Sequence, residues 1–114
     1  NEIFTLKGIT PIVGGSLNVG YNNLLSLKYC PSIVNGNFSC RSNQLTTLIG
    51  SPQKVLGYYN CSNNKLENLI GIAQNISGKL IAGNCELISL AGLPKEIEKD
   101  LILEYNNLKN LQIV

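Results

Sequence analysis

The stretch NFSCRSNQLTTL at residues 37–48 returns 21 residues later as YYNCSNNKLENL at residues 58–69. Each copy begins with alternating apolar and polar residues and then reaches an asparagine, Asn43 or Asn64. Two leucines follow at the same distances in both copies. A fixed period of this length is typical of repeat architectures, so the fold is decided by self-similarity rather than by local propensity.

The same period extends to both ends of the chain. It divides the sequence into repeats 16–36, 37–57, 58–78 and 79–99, with partial units 1–15 and 100–114, and we number positions within a repeat from 1 to 21. The leucine column at position 9 contains Leu24, Leu45, Leu66, Leu87 and Leu108, and the column at position 12 contains Leu6, Leu27, Leu48, Leu69, Leu90 and Leu111. Two columns in phase predict one stacked domain over residues 1–114.

The positions before the leucines predict a short strand in every repeat. Apolar residues at positions 2 and 4 alternate with polar neighbours, the period of a strand with one buried face. Stacked repeats would then form a parallel sheet with strands about 4.8 Å apart. Asparagine at position 7 has a donor and an acceptor for inward-pointing backbone groups, which predicts a structural ladder. Its column is Asn22, Asn43, Asn64, Cys85 and Asn106.

Glycine and proline punctuate the second half of each repeat. Glycines at positions 14 and 21 fit corners that need a positive φ or a close approach of backbones, although Lys99 breaks the column at position 21. Prolines at position 16, Pro31, Pro52 and Pro94, argue against a helix there. We therefore predict an extended or 3₁₀ return segment and little or no α-helix.

This pattern resembles the leucine-rich-repeat family, whose consensus likewise tolerates cysteine at the asparagine position occupied by Cys85. The short repeat looks most like the bacterial type found in secreted effectors, and the CSNN stretch at residues 61–64 is similar to repeats of phage proteins. The resemblance implies a right-handed solenoid with its parallel sheet on a concave side. It also implies recognition of a protein partner through the strand face.

Composition argues against several other functions. A net charge of +2 with 14% charged residues gives no basic field for nucleic acid, and the apolar runs are too short to span a membrane. Histidine is absent, which removes the commonest general base, and no C-x-x-C pair exists for zinc. Asp100 and Glu104 would lie about 13 Å apart on a strand, too far for paired-carboxylate chemistry. We expect no enzyme, metal or cofactor.

The four cysteines admit more than one interpretation. Buried free thiols behave as small apolar side chains. Cys40 and Cys61 share position 4, so stacking makes them neighbours, but their parallel side-chain vectors fit a disulfide poorly. We favour core thiols and leave a Cys40–Cys61 bridge as the alternative.

The outward positions 1, 3 and 5 of the strands define the candidate binding face. Position 3 becomes apolar toward the C-terminal end, where Ile81 and Ile102 replace polar residues. The predicted partner-binding residues are Arg41, Tyr58, Asn60, Lys79, Ile81, Asp100, Ile102 and Glu104. Such isoleucines are also favoured in any strand, which is the competing explanation of this patch. The alternative function is a repeat segment of a phage or virion structural protein. The uneven distribution of charge would suit end-to-end packing with further repeats or another subunit.

Overall fold

The chain folds as a parallel β-solenoid of about four coils in its computed structural model, which describes residues 5–95 and 97–106. No helix occurs within these ranges. Repeats 16–36, 37–57 and 58–78 each contribute two strands of two residues, and the strands of the solenoid form two parallel sheets. The repeat architecture and the parallel sheet predicted from the 21-residue period are therefore confirmed.

The two sheets contain different halves of the repeat. The five-stranded sheet consists of β2 (Leu17–Asn18), β4 (Phe38–Ser39), β6 (Tyr59–Asn60), β8 (Leu80–Ile81) and β9 (Leu101–Ile102). The four-stranded sheet consists of β1 (Ile12–Val13), β3 (Ile33–Val34), β5 (Lys54–Val55) and β7 (Asn75–Ile76). Each neighbour in a sheet is displaced by one period, as Phe38 opposite Tyr59 shows.

The core is a stack of identical positions. Both leucine columns are buried in every repeat that the structure describes, together with Cys40, Cys61 and Ala82 at position 4. Phe38 and Tyr59 stack at position 2 with ring centroids 5.1 Å apart. The buried hydroxyl of Tyr59 has a partner 2.7 Å away in Ser51 Oγ. Leu108 and Leu111, the last members of the two leucine columns, lie outside the described residues.

The asparagine column is a hydrogen-bonded ladder, as predicted. The Nδ2 group of Asn64 donates to Cys61 O at 3.0 Å in its own repeat and to Cys40 O at 3.1 Å in the preceding one. Its Oδ1 atom accepts from the backbone N–H groups of Asn43 and Leu45, also in the preceding repeat. One carboxamide thus bonds buried backbone groups on two coils and links them.

The two glycine columns serve different purposes. At position 14, Gly8, Gly50, Gly71 and Gly92 have φ between +94° and +98°, a conformation that side chains disfavour. At position 21 the constraint is space, because a Cβ on Gly78 would lie 2.5 Å from the carbonyl carbon of Gly57. These contacts explain why the glycines repeat.

The return side is extended, which is one of the two forms predicted for it. The strand pairing there was not predicted: positions 18 and 19, just before the glycine corner, form the second sheet. The turn before them is closed locally, because a short polar side chain at position 11 accepts a hydrogen bond from the backbone N–H two residues later. This column contains Thr5, Ser26, Thr47, Asn68 and Ser89.

Replacing a ladder residue tests whether the asparagines hold the coils together. We expect Asn64→Ala to lower the free energy of unfolding by about 1–3 kcal/mol, because it leaves buried backbone groups without partners. Asn75→Ala is the matched control, since it removes the same group from an exposed position. Chemical denaturation that gives equal losses for the two variants would contradict a structural role for the ladder.

Cavity mutations test the one-dimensional stack. Leu66→Ala in the middle should lower the free energy of unfolding by about 2–5 kcal/mol through lost packing and a cavity. Leu6→Ala, in the first described coil, should cost less because each coil is supported only by its neighbours. Equal losses at the two sites, measured by denaturant titration, would argue against independent nearest-neighbour contacts.

Candidate interaction surface

The strand face is the outward side of the five-stranded sheet, made of positions 1, 3 and 5 of each repeat. Its register is set by backbone hydrogen bonds between strands, such as Phe38 N–H to Tyr58 O at 2.9 Å and Tyr59 N–H to Lys79 O at 2.8 Å. Because β4, β6 and β8 are each paired on both edges, side chains on this face project from a rigid platform.

The structure brings most of the predicted residues together at the C-terminal half of the strand face. Ile81 and Ile102 are paired in register on β8 and β9, and both side chains are half-buried. Tyr58, Lys79 and Asp100 form an exposed column beside them at position 1, and Glu104 is exposed at position 5. The face therefore carries a small apolar centre with polar and charged neighbours.

Asn60 departs from its prediction as an outward-facing contact residue. It is only 9% exposed, because Ser39 and Ile81 flank it in register on both sides. Its Oδ1 atom accepts a hydrogen bond from the backbone N–H of Ser62 at 3.0 Å, which holds the side chain along its own strand. Asn60 is thus committed to an intramolecular bond.

Arg41 lies apart from the isoleucines, on the N-terminal half of the strand face. Its guanidinium group stacks on the ring of Tyr21 with the Cζ atom 5.3 Å from the ring centroid, a distance at which a cation is attracted to an aromatic face. Its buried Nε atom has no hydrogen-bond partner. The predicted set is therefore split into an isoleucine cluster and an Arg41–Tyr21 stack.

Tyr21 was missed from the sequence because it lies one residue beyond the outward positions. It occupies position 6, where the backbone adopts a left-handed φ in every repeat that the structure describes. The column is Tyr21 (+57°), Ser42 (+57°), Asn63 (+58°), Asn84 (+52°) and Tyr105 (+60°). Asparagine tolerates this conformation, whereas an aromatic residue there is uncommon. The two tyrosines at the ends of this column were the available signal.

The cysteines are free thiols, in agreement with the favoured prediction, and the alternative Cys40–Cys61 bridge does not form. Cys40, Cys61 and Cys85 are buried, and Cys30 is partly buried. Burial raises the pKa of Cys30 to about 12 and holds the pKa of Cys40 well above its usual value. The thiols of Cys30 and Cys40 therefore stay protonated and serve as packing groups.

Cys85 fills the place of a ladder asparagine. Its Sγ atom donates to Cys61 O at 3.1 Å, as an asparagine Nδ2 would. A hydrogen bond from the Cys61 thiol lowers the pKa of Cys85, and hydrogen bonds from the backbone N–H groups of Asn64 and Asn63 lower it further. The same thiol–thiol hydrogen bond raises the pKa of Cys61. Cys85 thus preserves part of the ladder without its carboxamide oxygen.

No group of three or more potential ligands is arranged to hold a metal ion in residues 5–95 and 97–106. Within the same ranges there is no helix that could cross a membrane.

The raised pKa values predict a pH dependence of stability. Thiols that remain protonated in the folded state but ionise near pH 9.0 in the unfolded state make stability fall as pH rises above about 9. The lowered pKa of Cys85 acts in the opposite direction. Cys40→Ala should flatten the decline between pH 8 and 10.5, measured by denaturation, while Val19→Ala in the same column should only shift it. Parallel curves for wild type and Cys40→Ala would contradict this assignment.

No protein-family model matches the chain, and neither a curated protein nor a solved structure does. What the chain binds has to be inferred from the chemistry of its own surface.

Proposed function

We propose that the chain is a leucine-rich-repeat type recognition module that binds a protein partner, without catalysis, through the C-terminal half of its strand face. The observation that supports this most is the register pairing of Ile81 with Ile102, both only half-buried, beside the exposed column of Tyr58, Lys79 and Asp100. Aliphatic anchors inside a polar rim are the combination found at binding hot spots.

The physical gain from such a site lies in its rigidity. Ile81 and Ile102 sit on paired strands and have β-branched side chains with few rotamers. A partner that covers them would remove apolar area from water at about 25 cal/mol per Å² and would immobilise little of this chain. The charges of Lys79, Asp100 and Glu104 would then select the orientation of the partner rather than supply most of the affinity.

The leucine-rich-repeat assignment is supported by the combination of repeat features. Two buried leucine columns and a ladder of asparagines whose carboxamides link adjacent repeats follow the family pattern. Short repeats leave no room for a helix on the return side, in keeping with the bacterial and phage types that the sequence resembles.

A second candidate function is a structural segment of a phage or virion protein. It is favoured by the N-terminal half of the strand face, where polar atoms are already used internally. Asn18 Oδ1 accepts from Gly20 N–H, and Asn37 Oδ1 accepts from Tyr58 N–H, each at 2.9 Å. Side chains with such intramolecular hydrogen bonds stabilise the array and have less capacity to bond a partner.

A double substitution separates the two candidates. Replacing Ile81 and Ile102 together by serine should weaken binding of a protein partner isolated with the native chain at least tenfold, about 1.4 kcal/mol. Thermal unfolding should change little, because these side chains point away from the core. The matched control is the double variant Ile49→Ser and Ile70→Ser, which changes two exposed isoleucines one period apart at position 13, off the strand face.

Two results would overturn the recognition proposal. Unchanged affinity in the Ile81→Ser, Ile102→Ser variant with intact folding would leave the strand face without a binding role. An equal loss of affinity in the Ile49→Ser, Ile70→Ser control would show that binding follows general surface hydrophobicity.

A further inference from the structure

The last two strands of the five-stranded sheet carry opposite charges side by side. β8 and β9 are paired in register, with Ile81 opposite Ile102. Lys79 and Asp100, two residues before these isoleucines, therefore occupy neighbouring places at position 1, and both are exposed. The strand face thus presents here a cation and an anion beside two half-buried apolar side chains.

No other neighbouring strands on this face combine the two features. At position 1 the three earlier strands of this sheet have no lysine, arginine or carboxylate, and their residues are Ser16, Asn37 and Tyr58. At position 3 the earlier strands have only polar side chains, those of Asn18, Ser39 and Asn60. Among the described strands, opposite charges at position 1 and apolar side chains at position 3 therefore coincide at β8 and β9.

This pattern is complementary to itself under a two-fold rotation. A second copy can be placed face to face with the first, with the two-fold axis parallel to the strands and midway between β8 and β9. The rotation lays β8 of each copy over β9 of the other. Lys79 then lies opposite Asp100 of the second copy, and Ile81 lies opposite Ile102 of the second copy. Two-fold symmetry repeats each of these contacts, as in the isologous interfaces of most dimers.

The charges disfavour the other arrangements in which strands of the two copies are aligned. An axis along β8 would lay Lys79 over Lys79 of the second copy, and an axis along β9 would do the same with Asp100. An axis along the solenoid would lay position 1 over position 5, and so Asp100 over Glu104. Like charges juxtaposed across an interface are costly. The axis between β8 and β9 instead lays Glu104 over Gly83, which has no side chain.

We propose that the C-terminal half of the strand face binds a second copy of this chain, forming a symmetric dimer across β8 and β9. This inference rests on the proposed function, because it names the protein partner of the same surface. In the dimer, each Lys79 has one Asp100 beside it in its own sheet and another across the interface. The four charges therefore alternate in sign around the axis, and the isoleucines of both copies meet at the centre.

The contact is small, so we expect a weak dimer. Positions 1, 3 and 5 of two strands supply six residues from each copy, whereas a standard interface uses about 20–30 residues a side. The isoleucines supply the apolar area, and the reciprocal Lys79–Asp100 pairs select the register. A dissociation constant of roughly 0.01–1 mM is expected for such a transient association.

Charge exchange tests this geometry. Lys79→Asp leaves two acids at position 1 of β8 and β9, and Asp100→Lys leaves two lysines there. A dimer of either variant would oppose like charges twice, so we expect self-association to weaken at least tenfold in sedimentation equilibrium. A mixture of the two variants should associate as strongly as the wild type, because the acids of one chain then face the lysines of the other.

A double variant and two controls complete the design. Lys79→Asp, Asp100→Lys reverses both charges, and the chain should dimerise again. Lys65→Asp and Glu67→Lys make the same charge changes at exposed positions 8 and 10, off the strand face. Each control should weaken the dimer less than twofold. Thermal unfolding, followed by circular dichroism, establishes that every variant is folded.

A measurement on the wild type decides the case in which a charge variant does not fold. Isotope-labelled and unlabelled protein are mixed and treated with a carbodiimide, which joins amines directly to carboxylates. We expect a mixed-isotope peptide that joins Lys79 to Asp100, which can form only between two chains. Absence of that peptide, in a sample shown by sedimentation to contain dimer, would contradict the proposed axis.

Four results would overturn the proposal. These are a wild type that stays monomeric at about 1 mM, folded single variants that associate like the wild type, a mixture of folded single variants that stays monomeric, and an equal loss in Lys65→Asp. None of them bears on a different protein bound at this face. That binding is decided by the affinity of the other protein for the Ile81→Ser, Ile102→Ser variant, so the two failures are distinguishable.

Discussion

The structure depends on backbone groups that a single coil cannot satisfy by itself. After each strand of the five-stranded sheet the chain turns inward, and the N–H groups of Asn43 and Leu45 are satisfied only by the carboxamide of Asn64 in the next repeat. Leaving such groups unpaired in the interior costs more than one net hydrogen bond contributes. Stacking is therefore a requirement of the polar backbone as much as of the leucine columns.

Close packing of the coils leaves little tolerance at the corners, and the exceptions locate the unusual features. Lys99 interrupts the glycine column at position 21. Tyr29 replaces glycine at position 14 and keeps a left-handed φ of +73°, a strained conformation for an aromatic residue. In a repeat protein, a departure from the column is more informative about function than the column itself, since the column is explained by stacking.

Much of this architecture is predictable because the sequence period determines the register: each residue pairs with the residue one period away in the chain. Once Leu45, Leu66 and Leu87 define the step, the neighbours of every residue are known, which is why the ladder and the buried columns were anticipated. The second sheet was not, because two-residue strands such as Lys54–Val55 have no alternation to detect. The burial of Asn60 depends on how closely Ser39 and Ile81 pack against it, and the position of Tyr21 depends on a left-handed backbone conformation. The alternation of apolar and polar residues specifies neither.

The candidate surfaces were predictable to a lesser degree. The pairing of Ile81 with Ile102 follows directly from the period, whereas the stacking of Arg41 on Tyr21 requires knowing the left-handed backbone conformation of Tyr21. Surfaces that arise from broken symmetry therefore need a structure, whereas surfaces that follow the symmetry do not.

The ladder also has a direction. Asn64 completes the repeat before it, and Asn106 likewise accepts from the N–H groups of Cys85 and Leu87, so each coil is finished by the one that follows. The ribosome synthesises the coils in the same order. When a new coil emerges, its asparagine can accept hydrogen bonds from backbone N–H groups of the preceding coil, which is already present. Coils can therefore add one after another in the order of synthesis, each packing on a coil that is already folded.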